Sequence, residues 1–330
     1  MAKPSNVQDR YDMGANIGGW VAEDVLDNIF NADQTKTPIL SEAKRGKAAQ
    51  TYHEWLRDDY DAPNKDNAAI DGDDATRLAL GVPDRVANYC QIFTKAYGVS
   101  GRADAVKKLG GVGKALAFHR AKKTIEIKRD LEAAIISSNA AVAGSGAAAS
   151  KLGGLGVLIY TNAQHGAGGS TAAHTSGAPT VAPVAGTARP FTEALLKTAC
   201  QATFDAVGET PKAVYLSSAH KKVFSTFAGI AGIRKEVSGR KQATVVGAAD
   251  VYVSDFGDME IVPHYMMTGS TKVYGLDTSN VKVDFLRPFD TWDLAKTGDS
   301  QSQQTLADVT LVMPVEKSSW KIADLTVSGA

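Results

Sequence analysis

Between Lys47 and Ser100 the chain has the pattern of a long β-hairpin whose connecting segment cannot bury itself, and that combination limits the folds available to it. The first arm, Lys47-Ala-Ala-Gln-Thr-Tyr-His-Glu-Trp-Leu-Arg57, sets Thr51, His53 and Trp55 on one face and Tyr52, Glu54 and Leu56 on the other. The second, Arg85 to Ser100, carries β-branched and aromatic residues and ends on a Gly-Val-Ser-Gly stop. Between them, Asp58 to Asp84 is rich in Asp, Asn, Ala, Pro and Gly, with the acidic run Asp71-Gly-Asp-Asp74. A two-stranded ribbon alone is marginal in water. Two readings therefore stand at this point: a disordered surface loop, or an arm ordered by another subunit.

A long helix follows. Lys114 to Ser138 spans about 37 Å at 1.5 Å per residue, with Leu116, Ile127, Leu131 and Ile135 in one stripe flanked by Phe118, Ile125 and Ala134. Lys122/Glu126 and Lys128/Glu132 form i,i+4 pairs expected on the wet side. Before the hairpin, Met1 to Leu40 is an arm containing a short amphipathic helix over about Val21 to Phe30, and Ser100 to Lys108 is a short helix ended by Gly110-Gly111. Ala140 to Pro190 turns to Ala, Gly, Ser, Thr and Pro around one apolar strand, Gly156-Val-Leu-Ile-Tyr160, so most of it reads as loop. A mixed α/β unit begins at Phe191: a helix over Thr192–Val207, the strand Ala213–Leu216, a Ser217-Ser218 cap and a helix over Ala219–Phe227. Strands are expected at Thr244–Val246, Val251–Val253 and Glu260–Val262, then at Thr271–Tyr274, Val281–Leu286, Leu306–Met313 and about Trp320. The last four should form a sheet against the long helix, whose stripe has no other long partner.

With 330 residues and 44% apolar content the chain can bury a sizeable core. Basic and acidic residues balance at 36 each, so there is no overall charge signature of a nucleic-acid binder. Cys90 and Cys200 are too few for a disulfide framework, and no apolar run suits a membrane span or a signal peptide.

No catalytic, cofactor or metal pattern survives its spacing. Gly153-Gly-Leu-Gly156 is not Gly-x-Gly-x-x-Gly, and Gly166-Ala-Gly-Gly-Ser-Thr171 lacks the P-loop lysine. His165-Gly-Ala-Gly-Gly has no accompanying nucleophile elbow. Counting back from Gly72 as the sixth position of a calcium loop puts Ala69 at the third, where an oxygen ligand is needed. The histidines show no metal-ligand spacing, His119 included, and Cys90 reads as packing.

Seven motifs in order carry a resemblance: His53-Glu-Trp55, Gly72-Asp-Asp-Ala75, Asn88-Tyr-Cys-Gln-Ile92, Val99-Ser-Gly101, Glu126-Ile-Lys-Arg-Asp-Leu-Glu132, Val251-Tyr-Val-Ser-Asp-Phe256 and Leu286-Arg-Pro-Phe-Asp-Thr-Trp-Asp-Leu-Ala-Lys-Thr-Gly-Asp299. Along essentially its whole length the chain resembles major capsid proteins of tailed bacteriophages with the Hong Kong 97-type fold. That resemblance implies an α+β fold with an N-terminal arm (1–44), an extended β-hairpin loop (45–100), a peripheral domain with the spine helix (101–163), a Gly/Ala/Ser/Pro-rich linker (164–190), an axial α/β domain (191–263) and peripheral strands (264–330). It implies a structural protein, not an enzyme, that self-assembles through pentamers and hexamers into an icosahedral shell around double-stranded DNA. The location is the virion, after assembly in the host bacterial cytoplasm. Expected partners are further copies of itself, a portal protein, a separate scaffold or decoration protein, and DNA held weakly and without sequence preference; no membrane or cofactor is expected. No cleavable scaffolding segment is expected ahead of the arm. An encapsulin-like cellular nanocompartment shell is the alternative, and an α/β enzyme built on Phe191 to Pro263 a remote one. For contacts between subunits the expected anchors are Trp55 and Tyr89, with Arg57, Asp58, Asp59, Asp73, Asp74 and Arg85 as ionic groups.

Overall fold

The computed structural model describes residues 33–72, 74, 77, 80–106, 108, 113–227 and 251–327. The expected helix at Val21–Phe30, most of the 1–44 arm, the Gly110-Gly111 stop and the strand at Thr244–Val246 lie outside the described residues.

The chain opens on α1 (Pro38–Glu42), β1 (Lys44–Lys47) and β2 (Tyr52–Arg57), and returns as β3 (Asp84–Tyr89) and β4 (Gln91–Ser100). After α2 (Gly101–Ala105) comes the spine helix α3 (Ala115–Ile136), then α4 (Leu155–Leu158) and the short strands β5 (Ala163–Gln164), β6 (Ala173–Thr175) and β7 (Ala178–Val181). The rest comprises α5 (Glu193–Val207), β8 (Ala213–Leu216), α6 (Ser218–Phe224), β9 (Val251–Ser254), β10 (Gly257–Pro263), β11 (Val273–Leu276), β12 (Lys282–Asp293), β13 (Ser300–Val312) and β14 (Trp320–Ile322).

Two principal sheets organise these strands. One has the order β1-β12-β13-β4, the other β5-β14-β11-β8-β10-β9. Against the first, α3 buries Ile127, Leu131 and Ile135 completely, each removal from water contributing about 1.5–3 kcal/mol. The second sheet is apolar on both faces. Along β8, Ala213 and Tyr215 point into the core shared with α3, whereas Val214 and Leu216 point into a second core beneath α5 and α6, as a side-chain period of two dictates. Tyr274 of β11 joins the first core, and Trp320 and Ile322 of β14 join the second.

Several expectations change here. β11 and β14 join the six-stranded sheet, so of the four late strands only β12 and β13 belong to the four-stranded sheet, and the boundary expected at 263/264 runs through a single sheet. Both strands are buried on every residue, and a strand without alternation does not reveal which sheet it enters. For the same reason the apolar run at Gly156–Tyr160 is no strand: Leu155–Leu158 is a buried helical turn. A Cβ on Gly154 would sit 2.4 Å from the Ser137 carbonyl oxygen, and one on Gly156 would strike Ser138. The glycines that resemble a phosphate loop thus serve close packing on the end of the spine helix.

The second hairpin arm also divides. Only β3 pairs with β2, with Tyr52 opposite Tyr89 and Arg57 opposite Asp84. Past Cys90 the chain becomes β4 and pairs along its length with β13, while Lys44–Lys47, at the start of the expected loop, runs parallel to β12. Pro288 in β12 has no N–H to give, and the ladder shifts register between Phe285 and Asp290 around it. The expected helices at Thr192 and Ser217 form with their caps: Thr192 accepts from the Leu195 N–H, Gly208 closes α5 at φ +83, and Ser217 accepts from the His220 N–H. α6 ends at Phe224, three residues early.

On the spine, Lys123 rather than Lys122 meets Glu126, at 2.7 Å. Glu132 is not on the wet side at all. It is fully buried, accepting from the backbone N–H groups of Ile39 at 2.9 Å and Leu40 at 2.8 Å, and from His264 Nε2 at 2.8 Å. Because His264 Nδ1 accepts from the Met266 N–H, the ring proton sits on Nε2 and points at the carboxylate. One side chain thus joins the end of the arm, the spine helix and the loop that follows β10.

Candidate subunit-contact site

The hairpin β2–β3 leaves the body from a root held on three sides. Its inward face is His53, Trp55 and Arg57, again the period of two. His53 Nε2 lies 3.1 Å from Asp284 Oδ2, and Trp55 packs against the first core. Arg57 donates from Nη1 to the Tyr160 hydroxyl at 2.8 Å, with Asp84 Oδ2 at 3.5 Å and Glu316 Oε1 at 3.8 Å. Burial pushes the Glu316 carboxyl above its ordinary range, while hydrogen bonds from Thr161 and the charge of Arg57 pull it back. Just beyond, Lys317 Nζ reaches Asp59 Oδ2 at 2.6 Å, which holds the Asp59 carboxyl low.

On its other side the root leans on β6–β7, a hairpin within the expected linker. Its turn, Ser176-Gly177, has positive φ at both residues, the type I′ geometry suited to the twist of a hairpin. The Gly177 carbonyl accepts from the Ala87 N–H at 3.0 Å, and the Ser176 carbonyl accepts from the Tyr52 hydroxyl at 2.7 Å. A Cβ on Gly177 would lie 2.3 Å from the Arg85 carbonyl oxygen. Asn88, buried in β3, donates to the Gly153 and Leu311 carbonyls and accepts from the Gly153 N–H. Beyond that root everything changes. Residues 58–72 and 80–83 are exposed throughout, including Tyr60, Ile70 at 75%, Leu80 at 94% and Val82 at 87%.

The sequence-expected contact residues therefore fall into two groups. Trp55, Arg57 and Tyr89 meet partners of their own chain, with the Tyr89 ring tilted against Tyr52 at a centroid distance of 4.9 Å. Asp58, Asp59, Asp74 and Arg85 are exposed, although Asp59 is paired with Lys317 and Arg85 lies 3.8 Å from Glu54 on the facing strand. Asp73 lies outside the described residues. Sequence reasoning missed Glu132, Glu316 and Lys317, whose partners are far along the chain. It also passed over Tyr60, Ile70, Leu80 and Val82, although large apolar residues in a polar stretch are a usable signal.

Among the described residues no group of three His, Cys, Asp or Glu side chains could hold a metal ion, and no helix is long and apolar enough to cross a membrane. Burial pushes the thiols of both Cys90 and Cys200 up to about 12, so neither is a thiolate at neutral pH.

The model of the SU10 major capsid protein family matches residues 5–326. Among solved structures, a chain of the cyanophage A-1(L) capsid asymmetric unit superposes with a TM-score of 0.66 at 14% identity, covering 93% of this chain and 97% of that one. A capsid chain of the native GTA particle gives 0.57 at 13% identity, covering 96% and 99%. A chain from Mycobacterium phage Adephagia gives 0.56 at 12%, covering 98% and 99%. These likenesses show a shared fold of the Hong Kong 97 type. No curated protein sequence matches the chain.

Proposed function

The chain belongs to the SU10 major capsid protein family and is a structural protein of the viral capsid shell; from that premise we propose that the excursion 58–83 is the part by which one copy grips its neighbour. The observation that carries this is the contrast between a braced root and an exposed tip that presents Tyr60, Ile70, Leu80 and Val82. Burying each against a neighbour contributes on the order of 1.5 kcal/mol or more. In this reading Trp55, Arg57 and Tyr89 fix the direction in which the hairpin leaves the body, and their part in the contact is indirect. Asp58, Asp59, Asp73, Asp74 and Arg85 supply the ionic contacts across the boundary, weak singly but repeated around each ring.

The rings are pentamers and hexamers that close around double-stranded DNA, with a portal protein and a separate scaffold or decoration protein as further partners, and assembly takes place in the host bacterial cytoplasm. Contact with DNA is sparse, since a balanced charge releases few counterions. A nanocompartment is the less favoured reading because the whole-chain family match is to a viral capsid protein. Deleting residues 61–71 tests the proposal. The expected product is a soluble, folded protein that forms no closed shells by negative-stain electron microscopy; particles of normal size and yield would refute it.

A further inference from the structure

The amino-terminal half of the spine helix exposes residues that a solvated helix has no use for. Phe118 is 38% and Ile125 39% exposed on α3, although Ile127, Leu131 and Ile135 show that the same helix buries its apolar side chains wherever a partner is present. Phe118, Lys122, Ile125, Arg129 and Glu132 follow one another at spacings of four, three, four and three, so they lie on a single line along the helix. The end of that line is already occupied by the arm. Glu132 holds the backbone of Ile39 and Leu40, and one turn earlier Arg129 Nη1 lies 3.7 Å from Asp33 Oδ2. Followed backwards from Leu40 to Asp33, the chain is thus travelling along this line towards Ile125 and Phe118.

The sequence that comes next fits what it would meet. Val21 to Phe30 sets Ala22, Val25, Leu26 and Ile29 on one side and Glu23, Asp24 and Asp27 on the other. As a helix it would measure about 15 Å, against about 16 Å from Arg129 to Phe118. Its acids match the surroundings of the stripe, where Lys122, Lys128 and Arg129 outnumber Glu126.

We infer that the Phe118–Ile125–Arg129 line of the spine helix is the docking surface for residues 21–30 of the same chain, laid parallel to it with Ile29 near Ile125 and Ala22 near Phe118. The apolar content of the line separates this from a phosphate-binding face, for which the lysines and arginines alone would serve.

The test is a disulfide between Ile29→Cys and Ile125→Cys in the full-length protein, compared with Ile29→Cys paired with Val251→Cys on the exposed edge strand β9. Mild oxidation should trap the first pair as a fast-migrating monomer on a non-reducing gel and leave the control reduced. Equal yields would overturn the inference, and a dimer band would place a neighbour's arm there in place of the chain's own. A readout without cysteine substitutions is amide exchange over residues 118–125 in the intact protein and in one lacking residues 1–32. Loss of the arm should speed exchange there by roughly tenfold. Unchanged exchange, or protection that depends only on packaged DNA, would refute it.

Discussion

Replacing Glu132 with alanine gives the sharpest test of how the arm is attached. The carboxylate is fully buried and receives three N–H groups, from Ile39, Leu40 and His264. Alanine leaves all three facing the space of the missing carboxymethyl group. Each buried donor left unsatisfied costs about 1–3 kcal/mol, and partial rearrangement of α1 recovers some of that, so a total loss of about 3–5 kcal/mol is expected. For a chain of this size that corresponds to a fall in Tm of roughly 6–15 °C, taking about 2–3 °C per kcal/mol. Urea unfolding of the unassembled protein measures it. Glu132→Gln keeps one acceptor oxygen but turns an NH2 toward the third donor, so it should fall between wild type and alanine. With His264→Ala the double-mutant cycle should return a coupling of about 1–3 kcal/mol. If Glu132→Ala costs under about 1 kcal/mol, water reaches these donors in the folded protein and the carboxylate is not what holds the arm.

Two further outcomes follow from the geometry. Lys321 is buried in β14, donating to the Gly156 carbonyl at 2.7 Å, and burial lowers its pKa to about 8. Because the unfolded chain keeps that proton up to the ordinary lysine range, the unfolded state binds more protons above pH 8 and stability should rise between pH 8 and 9.5, by up to about 2 kcal/mol from this group; Lys321→Met should flatten the rise, and an identical pH profile in the variant would exclude Lys321 as its source. On assembly, amide exchange should slow by roughly tenfold or more across 58–83 and hardly at all across β4, whose strand is already paired with β13; uniform slowing over 47–99 would mean that the whole segment, not its tip, is ordered by neighbours.

Elements whose signals are local could be read from the sequence. The spine helix, expected over Lys114–Ser138, runs Ala115–Ile136 because its apolar spacing needs only itself to be seen. The ends of α5 follow from Thr192 and Gly208, and β8 from the short apolar run Ala213–Leu216 around Val214 and Tyr215. Features that depend on distant partners were not legible. Glu132 is i,i+4 from Lys128 and looks like a solvent pair until Ile39 and His264, 93 and 132 positions away, arrive beside it. Nothing between Tyr89 and Gln91 announces that one extended strand serves two sheets; the division at Cys90 is made by β13, more than two hundred residues later. The contact site was legible in part. Poor self-burial in the sequence marks the segment that the structure leaves exposed, but size and charge single out Trp55 and Arg57, whose alternation with Glu54 and Leu56 turns them inward.

The six-stranded sheet has a mechanical consequence. Because β8 faces one core with Ala213 and Tyr215 and the other with Val214 and Leu216, the two halves of the subunit are opposite sides of one wall rather than two bodies joined by a hinge. Folding the subunit along that plane would have to tear the β8–β11 and β8–β10 ladders, so it behaves as a stiff tile. Differences in curvature across the shell then fall on the part that stands outside the wall, the hairpin beyond Arg57.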